Sequence, residues 1–340
     1  MAISADRKVI TVFGGSGFVG RHLVRRLAAD GIIVRVAVRD TEDALYLKPM
    51  GDVGQIVAVA ADVCDRATVD RAVAGSDAVI NLVGILAEFG KRTFDRYHAE
   101  GAANVAAATR DAGIGKLIHM SALGADAGSD SDYARTKAEG EAAVREAFPD
   151  AVTFRPSVIF GPEDGFFNLF AGLSRWSPAL PVFGCPVVPG VSLGGRFGVE
   201  VDLYGDGGTK FQPVFVGDVA EAMHRALDSD EAQGQTYELG GPRVYSFKEI
   251  MDLMLQVIDR RRFLAPVPFA MGELIGLLIG WWPQPLLTRD QVVLLKNDNV
   301  VSGELPGLED LDIVPSPAEP ILPTYLERFR PAKRQSERTA

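Results

Sequence analysis

Apolar residues follow two different periods in the first half of the chain. Short runs rich in β-branched residues alternate with longer segments in which apolar residues recur every three or four positions. The runs are KVITVF, IIVRVAV, QIVAVAADV, DAVINLVG and KLIHMSA, and the longer segments include GFVGRHLVRRLAAD and residues 94–113. Such alternation is typical of βαβ units whose parallel sheet is covered by helices on both faces. The pattern predicts an α/β fold with a Rossmann-type doubly wound parallel sheet over residues 1–160.

The regular alternation ends after Phe160. Glycine and proline are dense from 161 to 213, and the stretch CPVVPGVSLGGRFGVEVDLYGDGG is expected to form loops or a hairpin. At 340 residues the chain exceeds the usual size of a single core. We therefore predict a smaller C-terminal domain over 161–330, with parts of 211–245 returning to the first sheet, and a tail over 331–340.

Charge and cysteine content narrow the class of partner. The formal net charge of −10 argues against binding nucleic acid through phosphate neutralisation. Cys64 and Cys185 are too few for a disulfide framework or a thiolate metal site, and the histidines lack metal-ligand spacing, so we predict no metal site. The N-terminus MAISADRKVITVFGG enters a strand without an apolar signal region, which predicts a cytoplasmic location.

A glycine-rich turn joins the first predicted strand to the first predicted helix. VFGGSGFVGRH places Gly14, Gly17 and Gly20 at this turn. Glycines let the backbone approach a pyrophosphate, and a helix N-terminus supplies N–H donors and partial positive charge. We expect this loop, with its neighbours Ser16, Phe18 and Val19, to bind a dinucleotide.

The end of the second predicted strand decides which dinucleotide is favoured. An acidic residue there would accept hydrogen bonds from the ribose hydroxyls of NAD. The chain reads VAVRD, with Val38 at that position and Arg39 after it, so a guanidinium can pair with a 2′-phosphate. This favours NADPH. The alternative is that Arg39 is a solvated loop residue and Asp40 takes the acidic role.

SDYARTKAEGE, residues 131–141, carries a tyrosine and a lysine at helical spacing. Tyr133 and Lys137 lie about one turn apart and so share a helix face. In a nicotinamide enzyme the phenol would exchange the proton, and the ammonium would lower the phenol pKa and hold the cofactor ribose. The alternative is an exposed pair without a chemical role.

The glycine loop, spaced GxxGxxG, and the downstream YxxxK together resemble the short-chain dehydrogenase/reductase superfamily, in its extended and atypical branches. The resemblance implies further nucleotide contacts after the third and fourth strands and in RPSVIFGP, namely Asp62, Val63, Leu82, Val83, Gly84, Pro156, Ser157 and Val158. Catalytic members also need a hydroxyl after the fifth strand. In HMSALGA, Ala122 aligns with that position and Ser121 lies one residue earlier, on the opposite strand face. We therefore expect reduced capacity for catalysis and keep Ser121 as a cofactor contact.

Downstream segments are similar to a narrower group, the nucleotide-binding accessory subunits of respiratory complex I, called alpha-subcomplex subunit nine in mitochondria. The segments are GPEDGFFNLFAGLSRWSPALPVFG, FQPVFVGDVAEA, TYELGGP, LTRDQVVLLKNDNVVS and LPTYLERFRP. This resemblance implies a peripheral subunit on the cytoplasmic side of the inner (plasma) membrane that contacts other complex I subunits and holds NADPH without turnover. The chain departs from the pattern in a longer stretch at 185–208 and keeps its YxxxK. The alternative is therefore a free-standing NADP-dependent reductase or epimerase.

The segment PFAMGELIGLLIGWWP, residues 268–283, is the last strongly apolar feature. It is shorter than the roughly 18–20 residues that span a bilayer. Its composition, ending in Trp281 and Trp282, favours contact with a membrane surface or with a partner's groove. A buried core helix is the alternative.

Overall fold

The computed structural model describes residues 7–193, 199–279 and 287–331. Its strands are β1 (Val9–Phe13), β2 (Ile33–Val38), β3 (Ile56–Ala60), β4 (Ala78–Asn81), β5 (Leu117–Met120), β6 (Val152–Pro156), β7 (Ile159–Phe160), β8 (Ala179–Phe183), β9 (Gly190–Leu193), β10 (Val199–Asp202), β11 (Lys210–Phe211), β12 (Val214–Phe215), β13 (Thr236–Leu239), β14 (Tyr245–Ser246) and β15 (Phe263–Val267).

The α-helices are α1 (Phe18–Ala29), α2 (Arg66–Val73), α3 (Gly101–Asp111), α4 (Asp132–Ala147), α5 (Phe167–Leu173), α6 (Val216–Asp228), α7 (Phe247–Val257), α8 (Phe269–Ile279), α9 (Arg289–Leu294) and α10 (Ala318–Leu326). Short 3₁₀ segments cover Thr41–Met50, Glu309–Leu311 and Glu327–Phe329, and a π-helical segment covers Asp95–Glu100.

Seven parallel strands form the main sheet, in the order β13-β6-β5-β4-β1-β2-β3. The chain winds outwards from β1 in one direction through β2 and β3, and in the other direction from β4 onwards. Dinucleotides bind beyond the carboxyl ends of the strands at such a reversal. The sheet confirms the predicted α/β doubly wound class. The domain limits at 160 and 330 stay a prediction.

Helices cover both faces of this sheet. One core joins the strands to α1 and α6, through residues such as Leu23, Leu27 and Met223. A second core joins the opposite face to α2, α3 and α4. Neighbouring strand residues serve different cores, since Val12 belongs to the first and Phe13 to the second. Burial on both sides explains why the strands read as continuous apolar runs.

The C-terminal half has its own core, which is rich in aromatic residues. It includes six phenylalanines, several of them in edge-to-face contact: Phe160, Phe167, Phe170, Phe183, Phe211 and Phe247. β15 pairs with β8 in parallel, and β9 pairs with β10 as an antiparallel ribbon within the stretch expected to form loops or a hairpin.

The helix predicted around 94–113 is confirmed, since helical structure runs from 94 to 111, but its first turns are wound differently. A wider π-helical segment covers Asp95–Glu100, and α3 begins only at Gly101. A Cβ at Gly101 would lie 2.8 Å from a methyl group of Val63, so the chain passes very close to the turn after β3 there. π-Helical turns are rare and often occur at functional sites.

The apolar segment 268–283 forms α8 as far as Ile279, while Trp281 and Trp282 lie outside the described residues. Met271, Leu274 and Leu277 are each more than half exposed and recur at helical spacing. The alternative of a buried core helix is therefore wrong for this face of α8. In the described ranges, no helix is long and apolar enough to cross a membrane.

Candidate functional site

The glycine turn after β1 is tightly closed. Gly14 has φ +75°, and a Cβ on it would lie 3.2 Å from the carbonyl carbon of Leu82. Gly17 N–H donates to the Gly14 carbonyl at 2.9 Å, and a Cβ at Gly20 would lie 2.3 Å from the same oxygen. The start of α1 therefore packs directly on the turn, and glycine is required for this approach.

The first turn of α1 offers backbone donors to a ligand. Among the described side chains, none caps this helix after Gly17. The first N–H groups of a helix lack intrahelical partners, so those of Phe18 and Val19 are suited to phosphate oxygens. The turn therefore has the geometry and the polarity of a phosphate-binding loop.

Tyr46 lies against this loop, which the sequence reasoning missed. Its hydroxyl donates to the carbonyl of Ser16 at 2.6 Å, and the guanidinium carbon of Arg21 lies 4.9 Å from its ring centre. Burial raises the pKa of Tyr46. No local signal marks this contact, because the irregular 3₁₀ segment after β2 brings Tyr46 back to the loop.

The residues after β2 have distinct roles. Arg39 is exposed, its Nη1 donates to the Tyr97 hydroxyl at 3.1 Å, and its guanidinium carbon lies 5.7 Å from that ring centre. Asp40 Oδ1 accepts from the Glu42 N–H at 3.0 Å and caps the following 3₁₀ segment. The carboxylate of Asp40 is thus engaged with its own backbone, and the guanidinium of Arg39 is engaged with Tyr97.

Two further turns complete the carboxyl edge of the sheet. After β3, Asp62 accepts from the Cys64 N–H at 3.0 Å, and the carbonyl of buried Val63 accepts from Asn104 at 2.9 Å. After β4, Leu82 N–H donates to the Phe13 carbonyl, and Val83 N–H donates to Asn81. The predicted residues after β1, β2, β3 and β4 thus lie beyond the ends of four adjacent strands.

Tyr133 and Lys137 lie in the first two turns of α4, as predicted from their spacing. Lys137 is buried and its ammonium donates to the Met120 carbonyl at 2.8 Å. Burial lowers the pKa of Lys137 to about 8. Burial, with a smaller contribution from the charge of Asp290, raises the pKa of Tyr133 to about 12. Burial thus disfavours the charged form of both side chains.

His98 joins the turn after β4 to α4, a role that its sequence position did not reveal. Its Nε2 accepts from the Ile85 N–H at 3.1 Å, and its Nδ1 lies 3.1 Å from Thr136 Oγ1, which itself donates to α4 carbonyls. Burial, reinforced by Lys137, lowers the pKa of His98 to about 3. The ring is thus a neutral imidazole with its proton on Nδ1, and it packs edge-on against Tyr133 at 5.2 Å.

The end of β5 carries an unsatisfied hydroxyl. Ser121 Oγ is buried and has no hydrogen-bond partner among the described residues, while Ala122 is partly exposed. An unpaired buried hydroxyl costs about 1–3 kcal/mol, which a ligand group could recover. His119 on the same strand is buried, and burial lowers its pKa to about 3, so it is a neutral packing residue.

The segment Pro156–Val158 is already bonded within the protein. Ser157 Oγ donates to Asn299 Oδ1 at 2.7 Å, and Val158 N–H donates to the same atom at 3.0 Å. The Pro156 carbonyl accepts from the Leu123 N–H at 3.0 Å. These polar groups therefore have partners within the protein, and their expected nucleotide contact stays a prediction.

Asp290 on α9 is a further contact that the sequence did not reveal. Its carboxylate accepts from the backbone N–H groups of Asp132 and Tyr133 at the start of α4. The pattern Thr288-x-x-Gln291 marks the start of α9 as a capping box, but it gives no sign of this distant target. In the described ranges, no cluster of three or more histidine, cysteine or acidic residues could hold a metal ion.

The arrangement suits an extended dinucleotide. The phosphate loop, Arg39 and the Tyr133–Lys137 pair all lie at or beyond the carboxyl ends of the strands. The pKa of the Tyr133 phenol is raised, and the buried Ser121 is followed by the partly exposed Ala122 at the end of β5. The arrangement therefore has the features of a site that binds and orients an extended nucleotide.

Comparisons with known proteins agree with this fold. The profile described as "NAD dependent epimerase/dehydratase family" matches residues 10–240. The chain is 36% identical over 318 residues to NADH dehydrogenase [ubiquinone] 1 alpha subcomplex subunit 9, mitochondrial, of Rattus norvegicus, covering 93% of this chain and 79% of that protein. It is 38% identical over 180 residues to Ceramide reductase of Caulobacter vibrioides, covering 52% of this chain and 54% of that protein.

Solved structures show the same architecture. UDP-glucose 4-epimerase of Thermus thermophilus, in complex with NAD, superposes with a TM-score of 0.66 at 20% identity, covering 94% of this chain and 98% of that one. At this identity the likeness concerns the fold.

Proposed function

The chain belongs to the NAD-dependent epimerase/dehydratase family of the short-chain dehydrogenase/reductase superfamily, and from that premise we propose that it is a nucleotide-holding accessory subunit of respiratory complex I, NADH:ubiquinone oxidoreductase. The observation that carries the proposal is the similarity to a complex I subunit over 93% of the chain. The similarity to Ceramide reductase covers 52% of the chain. The match at 36% identity over nearly the whole chain therefore favours the subunit role.

The nucleotide in this proposal is NADPH. Two observations support a bound nucleotide: the turn at Gly14 and Gly20 that a Cβ would fill, and the unpaired hydroxyl of Ser121. The glycine turn would hold the pyrophosphate, Arg39 the 2′-phosphate, and Tyr133 with Lys137 the nicotinamide half. A nicotinamide nucleotide supplies hydride transfer when it is used catalytically. In the proposed structural role, the side chains and backbone of this protein bind and orient the nucleotide.

Arg39→Asp tests the choice of NADPH over NADH. A guanidinium paired with the 2′-phosphate contributes a charge-assisted hydrogen bond, so we expect the substitution to weaken NADPH binding by roughly 1.5–3 kcal/mol. Arg110→Asp, at the last turn of α3, makes the same change in net charge and should leave the affinity unchanged. Mass spectrometry of the nucleotide released from the wild-type protein should show NADPH or NADP⁺, and a preponderance of NAD would overturn this choice.

Two features support a structural rather than a catalytic nucleotide. Ala122 stands where a catalytic hydroxyl is expected, and the pKa of Tyr133 is raised to about 12. A proton donor works best when its pKa lies near the operating pH. The second candidate, a free-standing NADP-dependent reductase or epimerase, is favoured by the intact Tyr133–Lys137 pair and by the likeness to Ceramide reductase.

Purification from solubilised membranes tests the proposed assembly. A tagged chain should copurify with the other complex I subunits at one copy per complex, and should remain with the membrane fraction until the peripheral arm is released. We expect the protein on the cytoplasmic face, with the exposed side of α8, formed by Met271, Leu274 and Leu277, covered by lipid or by a neighbouring subunit. Recovery of the chain only as a free protein would favour the reductase or epimerase.

A further inference from the structure

The start of α4, which carries Tyr133, is held by a side chain from a distant part of the chain. Asp290 Oδ1 accepts from the Asp132 N–H at 2.7 Å, and its Oδ2 accepts from Ser131 Oγ at 3.0 Å and from the Tyr133 N–H at 3.3 Å. These N–H groups lack intrahelical partners, and a carboxylate at a helix N-terminus is also favoured by the helix dipole. Asp290 therefore fixes the first turn of α4 by three contacts.

The helix that carries Asp290 is itself firmly anchored. Thr288 and Gln291 form a capping box at its start, with bonds of 3.0 and 3.1 Å. Gln291 Nε2 also donates to the Leu86 carbonyl at 3.4 Å, in the loop that follows the turn after β4. α9 thus contacts two segments that border the candidate nucleotide site.

α9 is also joined tightly to α8, whose apolar face is exposed. A Cβ at Gly276 would lie 2.8 Å from the backbone nitrogen of Arg289, so the two helices meet backbone to backbone. Lys296, just after α9, pairs with Glu273 of α8 at 2.6 Å. Direct contacts therefore connect α8 to α9 and, through Asp290, α9 to α4.

We propose that Asp290 is a positioning residue that couples nucleotide binding to the order of α8 and α9. The inference rests on the proposed nucleotide site, because Tyr133 and Lys137 are its contacts on α4. Because Asp290 links the two helices, a nucleotide that stabilises the observed position of α4 also stabilises α9 in its observed contact with α4. By reciprocity, a partner that binds the exposed face of α8 in this position strengthens nucleotide binding by the same factor.

Hydrogen exchange of the full-length protein tests this coupling. In the wild type, saturating NADPH should slow amide exchange in the peptide that contains α9. In Asp290→Ala we expect the dissociation constant for NADPH to rise about tenfold, within the usual range for coupled sites, and exchange of α9 to become insensitive to NADPH. Asp290→Asn keeps one acceptor oxygen, should perturb folding less, and should give an intermediate change in both quantities.

Asp298→Ala is the matched control. Asp298 follows α9 and also accepts from a backbone N–H, that of Lys210 at 2.8 Å, which lies outside α4. In this variant NADPH should still slow amide exchange in α9. The inference would be overturned if NADPH slowed amide exchange in α9 equally in Asp290→Ala and in the wild type. It would also be overturned if the wild type bound NADPH without any change in the amide exchange of α9. A wild type that binds neither NADPH nor NADH would overturn the proposed function and this inference together.

Discussion

Lys137→Met tests whether a buried ammonium is kept for a ligand at a cost to stability. Burial lowers the pKa of Lys137 to about 8 from 10.5, and each pH unit of difference corresponds to about 1.4 kcal/mol. At pH 7 the charge therefore costs the nucleotide-free fold about 3 kcal/mol. Methionine removes the charge and forfeits the hydrogen bond to Met120, worth about 1 kcal/mol. We expect the free energy of unfolding to rise by about 2 kcal/mol.

The expected gain in stability depends on pH. Because the folded pKa of Lys137 lies below the unfolded value, the free-energy cost of burying its charge is complete below pH 8 and shrinks as the pH rises towards 10.5. The gain from Lys137→Met should therefore be about 2 kcal/mol smaller at pH 9.5 than at pH 7. Affinity for NADPH should fall at both pH values, since the ribose loses its partner.

Urea denaturation of nucleotide-free protein, followed by circular dichroism at both pH values, measures these free energies. Lys116→Met is the matched control. Lys116 also donates to a backbone carbonyl, that of Leu227 at 2.7 Å, but its side chain is 32% exposed. We expect this control to be slightly less stable than the wild type at both pH values. Destabilisation by Lys137→Met at pH 7, or an equal effect at pH 7 and pH 9.5, would refute the reasoning.

Two further predictions concern the glycine turn and the buried histidines. Gly20→Ala should lower the free energy of unfolding by about 3 kcal/mol or more, because the added Cβ would lie 2.3 Å from the Gly14 carbonyl oxygen. Gly115→Ala has open space around it in the described structure and should cost less than about 1 kcal/mol, with both variants measured by urea denaturation. Burial lowers the pKa values of His98 and His119 to about 3, so each should remove up to about 1.4 kcal/mol of stability per pH unit as pH falls from 6.5 towards 3. An unchanged slope in a variant that lacks both imidazoles would contradict the second prediction.

Local periodicity was sufficient for the sheet and for the glycine turn, because strand, turn and helix follow one another directly between Val9 and Ala29. It was not sufficient for the contacts that surround Tyr133. Asp290 and Tyr133 lie 157 positions apart, and Asn299 reaches Ser157 across 142 positions. Contacts of this range depend on how the C-terminal half packs on the sheet, and no spacing within a segment reports them.

The π-helical turn before α3 is a second feature that periodicity hides. Residues 94–113 keep a helical pattern throughout, yet the wider turn at Asp95–Glu100 brings His98 between the turn after β4 and α4. A helical pattern read from the sequence assumes a constant turn. The prediction therefore placed His98 on a helix without revealing its contacts.

The most direct test of the account is the rate of NADH:ubiquinone oxidoreduction per assembled complex in Tyr133→Phe, measured with the nucleotide content of the same preparation. The substitution removes the hydroxyl and keeps the ring that packs against Phe94 and His98. If the nucleotide is held structurally, the rate per complex should match the wild type at full NADPH occupancy. A fall of about 10²- to 10⁴-fold at full occupancy, the usual cost of losing a proton donor, would contradict the account and make Tyr133 catalytic.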